Sequence, residues 1–177
     1  GRAEKGLEVS AFSVIDLAHH TGYALSVQQT PAPSNHQTDD ETTIDAYLTP
    51  LHTVVPYRHP AERHVAVDGQ LAKKKWLDGV EAVGLHTIGK LRRDANRHFL
   101  YTGPRRAHGS GRQKTYDGKV DWQDLSGFNY VTEQEGLQLY TQVLNHVSLK
   151  RTRQVVVVLD RRKPNSTISR WSIRWPA

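Results

Sequence analysis

The sequence lacks cysteine and methionine, and it contains no long apolar run. The absence of cysteine excludes disulfides and thiolate metal sites, and it fits a reducing compartment. No apolar segment approaches the roughly 18 residues that a membrane helix requires, and no signal-peptide pattern opens the chain. These features favour a cytoplasmic protein that does not contact a membrane. Because methionine is absent and the chain begins at Gly1, we expect either a piece of a longer reading frame or a processed product.

The charge balance of the chain is basic. Its 177 residues carry 24 Lys and Arg against 18 Asp and Glu, which gives a net charge of +6 and a pI near 9.7. A basic chain favours an acidic partner, most often nucleic acid, although basic surfaces also occur on proteins that bind no polyanion. The length corresponds to one domain or a large part of one.

Alternating and helical patterns predict a mixed α/β chain. The first part of the chain predicts an antiparallel hairpin of Leu7–Ala18 and Tyr23–Gln28, followed by a helix from Thr42 or Thr43 to about Val55 with a break or kink at Pro50. The middle predicts a strand–helix–strand unit, whose parts are Val65–Val67, Leu71–Val83 and Leu85–Leu91. The last part predicts a weak strand at Phe128–Val131 and two strands that pair with each other, within Leu137–Leu149 and Gln154–Asp160. A strand–helix–strand unit normally has parallel strands. Residues 102–120 are predicted to be an irregular Gly- and Arg-rich loop, and no element is predicted for residues 170–177.

One carboxylate stands directly after the predicted strand Val65–Val67. Open α/β sheets place their chemistry at the carboxyl ends of strands, so Asp68 is a candidate site residue. A hard oxygen ligand among cations suggests a divalent metal that acts on a polyanion. The alternative is that Asp68 caps the following helix. Asp16 also follows an apolar run, and it is either a second carboxylate near Asp68 or a residue of the hairpin end.

Basic residues are concentrated after Asp68 and in the middle of the chain. Lys73–Lys75 open a predicted helix, where the helix dipole disfavours cations, and they indicate either a nearby anion or a solvated face. The later block is spaced by glycines, which suits contact with phosphates without sequence readout, or it is a basic loop without a ligand. The ten histidines show no zinc-ligand spacing. The residues predicted to contact DNA are Lys73, Lys74, Lys90, Arg92, Arg93, Arg105, Arg106, Arg112, Lys114 and Lys119.

Five short segments are familiar in sequence and in order. They are Glu4–Ser10, Ser26–Pro31, Val67–Gly69 with Lys73–Trp76, Gly84–Asp94 and Tyr116–Val120. Together they resemble bacterial insertion-sequence transposases of the DDE class. The resemblance implies that residues 1–163 are a partial catalytic domain with a ribonuclease-H-like mixed sheet, flanking helices, a basic loop at 102–120 and a β-rich C-terminal insertion. Residues 164–177 are then a tail of unclear structure.

The resemblance also implies a chemistry for the full-length parent. Members of the class use three carboxylates that hold two Mg²⁺ (or Mn²⁺) ions, and they cut and join DNA ends by phosphoryl transfer. Asp68 matches the second carboxylate, which makes it the candidate catalytic residue and metal ligand. Lys90, Arg92 and Arg93 match a basic strand next to the DNA. The implied partners are transposon ends and target DNA, in the bacterial nucleoid, and the full-length parent is compatible with a homodimer.

The chain departs from the family pattern at both ends. The first Asp of the family lies upstream of the segment that matches Glu4–Ser10, so Asp16 is not expected to be that residue. The final Glu follows a Tyr-x-x-Arg pattern, which Arg170-Trp171 and Arg174-Trp175 resemble only superficially. We therefore expect an internal fragment that is inactive alone, because one Asp does not hold two ions. The alternatives are a non-catalytic basic nucleic-acid-binding domain, or a nuclease of the same fold that does not transpose DNA.

Overall fold

The computed structural model describes residues 8–30, 42–71, 73–92, 95–104, 111–162 and 167–173. These residues divide into two units. One unit contains the residues up to Arg63 together with Lys75–Leu85, and the other contains His64–Lys74 together with the residues from His86 onward. The described residues form a strand-rich mixed α/β structure, as the sequence predicts. None of their helices is long and apolar enough to cross a membrane.

The first unit contains a β-hairpin and two helices. Strands β1 (Val9–Asp16) and β2 (Thr21–Gln29) are antiparallel, which confirms the predicted hairpin. Helix α1 spans Thr43–Val54, and helix α2 spans Lys74–Ala82. Helix α2 begins later than the sequence predicts, because the chain first makes a separate 3₁₀ turn at Gly69–Leu71.

Apolar side chains of both helices form the interior of the first unit. Leu51 of α1 is 1% exposed, and Trp76 and Val80 of α2 are 1% and 0% exposed. The Trp76 ring also stacks on Phe12 of β1, with 6.5 Å between the ring centroids. The helical spacing of Trp76 and Val80 predicts their common burial, and burial of such side chains contributes about 1.5–3 kcal/mol each.

Helix α1 begins at a polar cap and runs through a proline. The carboxylate of Asp45, in the first turn, accepts hydrogen bonds from the backbone N–H of Thr42 at 2.7 Å and from its hydroxyl at 2.8 Å. Of the break or kink predicted at Pro50, the break is wrong, because the helix continues to Val54. Proline removes one backbone donor, but Pro50 is buried, and burial of its ring offsets part of that loss.

The second unit is built on one large sheet. Its strands are β3 (His64–Val67), β4 (His86–Lys90), β5 (Arg97–Leu100), β6 (Tyr116–Lys119), β7 (Asn129–Gln134), β8 (Leu137–His146), β9 (Arg151–Asp160) and β10 (Thr167–Ile173). Their order is β3-β4-β10-β9-β8-β5-β6, and β7 pairs with β8 beside β5. Strands β3 and β4 are parallel, as the strand–helix–strand pattern predicts, and the other pairings are antiparallel. The predicted pairing of β8 with β9 is confirmed.

Three strands lie where the sequence predicts none. Strand β5 has no predicted counterpart, and β6 lies inside the segment 102–120 that is predicted to be an irregular loop. Strand β10 lies in the segment after residue 163, and it pairs with both β4 and β9. The loop prediction is therefore wrong for Tyr116–Lys119. Pairing with strands that are distant in sequence stabilises these segments, and local periodicity does not report such pairing.

The core of the second unit lies on one face of this sheet. Alternate residues of β9 are buried, with Val155 and Val157 at 0% exposure and Leu159 at 7%. The buried cluster on this face consists of Leu91, Val120, Trp122, Phe128, Leu144, Val155 and Val157. Because strand residues alternate between faces, the position of a residue in β8 or β9 decides whether it joins this core.

Candidate nucleic-acid interface

Asp68 lies at the carboxyl end of the parallel strands β3 and β4. Val67, the last residue of β3, is opposite Gly89 of β4, so the chain leaves β3 beside Lys90. A Cβ atom at Gly69 would stand 2.6 Å from the carbonyl oxygen of Lys90. Only glycine fits this close backbone approach, and Gly69 thereby fixes Asp68 next to the end of β4.

The carboxylate of Asp68 faces solvent. Its side chain is exposed, and within the described part of the chain no hydrogen bond or ion pair reaches the carboxylate oxygens. The backbone carbonyl of Asp68 accepts a hydrogen bond from Leu71 at 3.0 Å, which closes the 3₁₀ turn. The cap interpretation of the sequence requires the side-chain oxygens as acceptors. The observed geometry favours a carboxylate that is accessible to a ligand.

Four of the predicted DNA-contacting residues belong to the same unit as Asp68 and lie either shortly after it in sequence or at the end of the neighbouring strand. Lys90 is the last residue of β4, and Arg92 comes two residues later. Lys73 and Lys74 lie at the start of α2, directly after the 3₁₀ turn. All four side chains are exposed. Arg93 is outside the described residues. Among the described residues, the carboxyl end of β3 and β4 therefore carries these four exposed cations and the carboxylate of Asp68.

Of the remaining predicted DNA contacts, those that the structure describes lie away from this surface. Lys119 is in β6, and Lys114 precedes that strand and pairs with Asp117 at 2.8 Å. Lys114 also lies over the ring of Tyr101, 4.9 Å from its centroid. Strands β4 and β6 are five positions apart in the sheet order, which corresponds to roughly 24 Å at about 4.8 Å per strand. Arg112 is exposed next to this second group, and Arg105 and Arg106 lie outside the described residues.

Asp16 is a residue of the hairpin end, which is one of the two interpretations of the sequence. Its carboxylate accepts hydrogen bonds from the backbone N–H groups of Ala18 at 2.9 Å and His19 at 3.1 Å. It also lies 2.7 Å from Nδ1 of His19. The side-chain bond to His19, together with these backbone bonds, lowers the pKa of Asp16. This pattern is typical of an acidic turn residue that ends a strand.

The described residues do not complete a metal centre. They contain no group of three or more His, Asp or Glu side chains arranged to hold a metal ion. A divalent cation such as Mg²⁺ needs several oxygen ligands in near-octahedral geometry. Asp68 supplies one carboxylate, which does not fit the two-ion centre that the transposase resemblance implies.

The sequence interpretation missed a second group of cationic residues. Arg97 of β5 and Arg153 of β9 are 3% and 6% exposed, and His146 of β8 lies between their strands. A usable signal exists for Arg153, because it is in phase with the apolar residues Val155 and Val157 of the same strand. A charged residue on the apolar face of a strand is unusual unless it has a partner.

The chain matches no protein-family model, and no curated protein matches it.

Proposed function

We propose that the chain is part of the catalytic domain of a DDE-class transposase with a ribonuclease-H-like core, and that it contacts DNA. The observation that carries the proposal is the exposed Asp68 carboxylate at the end of β3, beside the end of β4. A parallel strand–helix–strand unit with a terminal Asp is what the resemblance implies for the second carboxylate. The coarse architecture, a strand-rich α/β chain with a large mixed sheet, is compatible with such a core.

Exposed cations at this end of the sheet supply the proposed DNA contacts. Lys73, Lys74, Lys90 and Arg92 lie within a few residues of Asp68 or of the neighbouring strand end. Duplex DNA carries about one negative charge per 1.7 Å of axis, and each phosphate that a protein neutralises makes binding more sensitive to salt. We expect these residues to track the phosphate backbone without reading base sequence.

The metal chemistry of the family is not assigned to the described residues. In the full-length parent, Mg²⁺ or Mn²⁺ would supply the activation of the attacking oxygen. One carboxylate does not hold two such ions, and the described residues offer no completing set. We therefore expect the 177-residue chain to bind DNA and not to cleave it. Nicking of plasmid DNA that requires Mg²⁺ and disappears in Asp68→Ala would contradict this expectation.

A salt titration tests the DNA contact. The double variant Lys90→Gln and Arg92→Gln should weaken binding of a duplex oligonucleotide in fluorescence anisotropy. If both side chains neutralise phosphates, the slope of log K against log salt should fall by about 1.8. The matched control is Lys150→Gln with Arg161→Gln, which removes two exposed cations at turns elsewhere in the same unit. Equal losses in the two double variants would refute a contact at this end of the sheet.

A non-catalytic DNA-binding domain is the second candidate. It is favoured by the exposed cations near β6, because Lys114 and Lys119 lie far from Asp68 in the sheet order. If the chain is such a domain, Asp68→Ala should leave its DNA affinity intact. Lys114 and Lys119 should then contribute to the slope of log K against log salt. The genomic DNA that adjoins the reading frame separates the two candidates. An upstream strand with an Asp, a downstream Tyr/Arg/Glu segment and flanking inverted repeats would support the transposase and exclude a free-standing binding domain.

A further inference from the structure

Basic side chains form a row across three neighbouring strands of the large sheet. Arg97 of β5 is directly opposite His146 of β8, and His146 is directly opposite Arg151 of β9. Arg153, two residues further along β9, is opposite Leu144. Directly opposed residues of antiparallel strands share one face of the sheet. The row therefore lies on the same face as the buried residues Leu144 and Val155.

The members of this row are removed from solvent. Arg97 and Arg153 are 3% and 6% exposed, and Arg151 and His146 are partly buried. Nη1 of Arg97 donates a hydrogen bond to the backbone carbonyl of Asn96 at 3.1 Å. Nε of Arg97 and Nδ1 of His146 are buried and have no hydrogen-bond partner among the described residues. A buried charged donor without an acceptor is costly, so an acceptor is expected at this position.

The electrostatics of the row favour an anion. Burial, followed by the charges of Arg97, Arg153 and Arg151, lowers the pKa of His146 to about 3. Burial also lowers the pKa of Arg97 to about 10, and the guanidinium is still charged at neutral pH. The row thus presents three positive charges around a neutral imidazole. A bound anion within reach of Nε of Arg97 would pair with this buried charge.

We propose that Arg97, His146 and Arg151, with Arg153 beside them, form a binding site for a phosphate oxyanion. The planar guanidinium presents several N–H donors in a geometry that matches phosphate oxygens, and buried arginines are suited to such recognition. Arg151 and Arg153 contribute only their positive charge to the proposed site. Strands β5, β8 and β9 lie across the sheet from Asp68, so the site does not depend on Asp68 or on the function proposed above. Inorganic phosphate and a DNA phosphodiester share this chemistry.

Titration with inorganic phosphate tests the site directly in the unmodified chain. Phosphate is added at constant ionic strength against chloride, and binding is followed by calorimetry and by the melting temperature. We expect saturable binding and a rise in melting temperature with phosphate. The proposal would be overturned if phosphate binding did not saturate, or if chloride at the same ionic strength raised the melting temperature equally. Neither result depends on a variant.

A matched pair of arginine variants locates the binding. Arg97→Met should weaken phosphate binding tenfold or more, since hydrogen bonds to charged groups contribute this much to affinity. Arg161→Met removes an exposed arginine outside the row and should leave phosphate binding within twofold. If Arg97→Met fails to fold, Arg151→Gln provides a second test, because Arg151 is only partly buried. This variant should also weaken phosphate binding. Unchanged binding in Arg97→Met or in Arg151→Gln would refute the site.

The same variants identify the source of the phosphate group. If Arg97→Met lowers the affinity for a short DNA oligonucleotide as strongly as for inorganic phosphate, the site holds a backbone phosphate of DNA. If Arg97→Met loses phosphate binding and retains DNA affinity equal to that of Arg161→Met, the site holds a free phosphate or a small phosphate ester. Both results support the site, and they differ only in the ligand that carries the oxyanion.

Discussion

The buried imidazole of His146 makes a quantitative prediction about stability and pH. In the folded chain the pKa of His146 is lowered from 6.5 to about 3, first by burial and then by Arg97, Arg153 and Arg151. Between these two pH values the unfolded chain binds a proton that the folded chain does not bind. The free energy of unfolding therefore falls as pH falls from about 6.5 towards 3, and it is recovered as pH rises.

The size of this effect follows from the two pKa values. The difference between about 3 and 6.5 corresponds to about 5 kcal/mol over the whole window. Between pH 7 and pH 5.5 the expected loss is about 1 kcal/mol, once the screening by solvent near the partly exposed ring is included. Few carboxylates take up protons in this narrower range, since their unperturbed pKa values are about 4.

Urea unfolding at pH 7 and pH 5.5, followed by tryptophan fluorescence, measures this loss. In His146→Gln the loss on acidification should be smaller than in the wild type by about 1 kcal/mol. His52→Gln, which alters an exposed histidine of α1, should lose as much as the wild type. If His146→Gln and the wild type lose equal stability on acidification, burial and the nearby arginines do not hold the imidazole of His146 neutral, which would refute the prediction.

Two further predictions concern the positions of Gly69 and Asp45. Gly69→Ala should destabilise the chain by about 1–3 kcal/mol in urea unfolding, because the new Cβ would stand 2.6 Å from the carbonyl oxygen of Lys90. An unchanged midpoint would show that the strand end is not packed as described. The pKa of Asp45 is lowered to about 2, first by its bond to Lys75 and then by the Thr42 N–H. The contribution of this carboxylate to the free energy of unfolding is therefore present above about pH 4 and is lost as pH falls towards 2. Asp45→Asn should cost about 0.5–1 kcal/mol at pH 7, since the side chain is partly exposed, and equal stability of variant and wild type at pH 7 would contradict this.

Local patterns predicted the elements whose stability is mostly local or strongly apolar. The hairpin β1–β2, the helix after Thr42 and the parallel pair β3–β4 are confirmed within a few residues. The same patterns missed β10, because that strand is stabilised by neighbours on both sides that are distant in sequence. They were also wrong about Pro50, since the burial of its ring depends on the rest of the unit.

The sequence by itself determined that Asp68 directly follows a short strand, that a helix comes after it, and that the chain is basic. It did so because side-chain periodicity and charge are properties of neighbouring residues. Only the tertiary structure decided that the basic residues near β4 and near β6 lie on separate parts of the sheet, and that Arg97, His146 and Arg151 stand in one row. Strand order and register depend on hydrogen bonds between segments far apart in the chain. A one-residue change of register would turn each of these side chains to the opposite face.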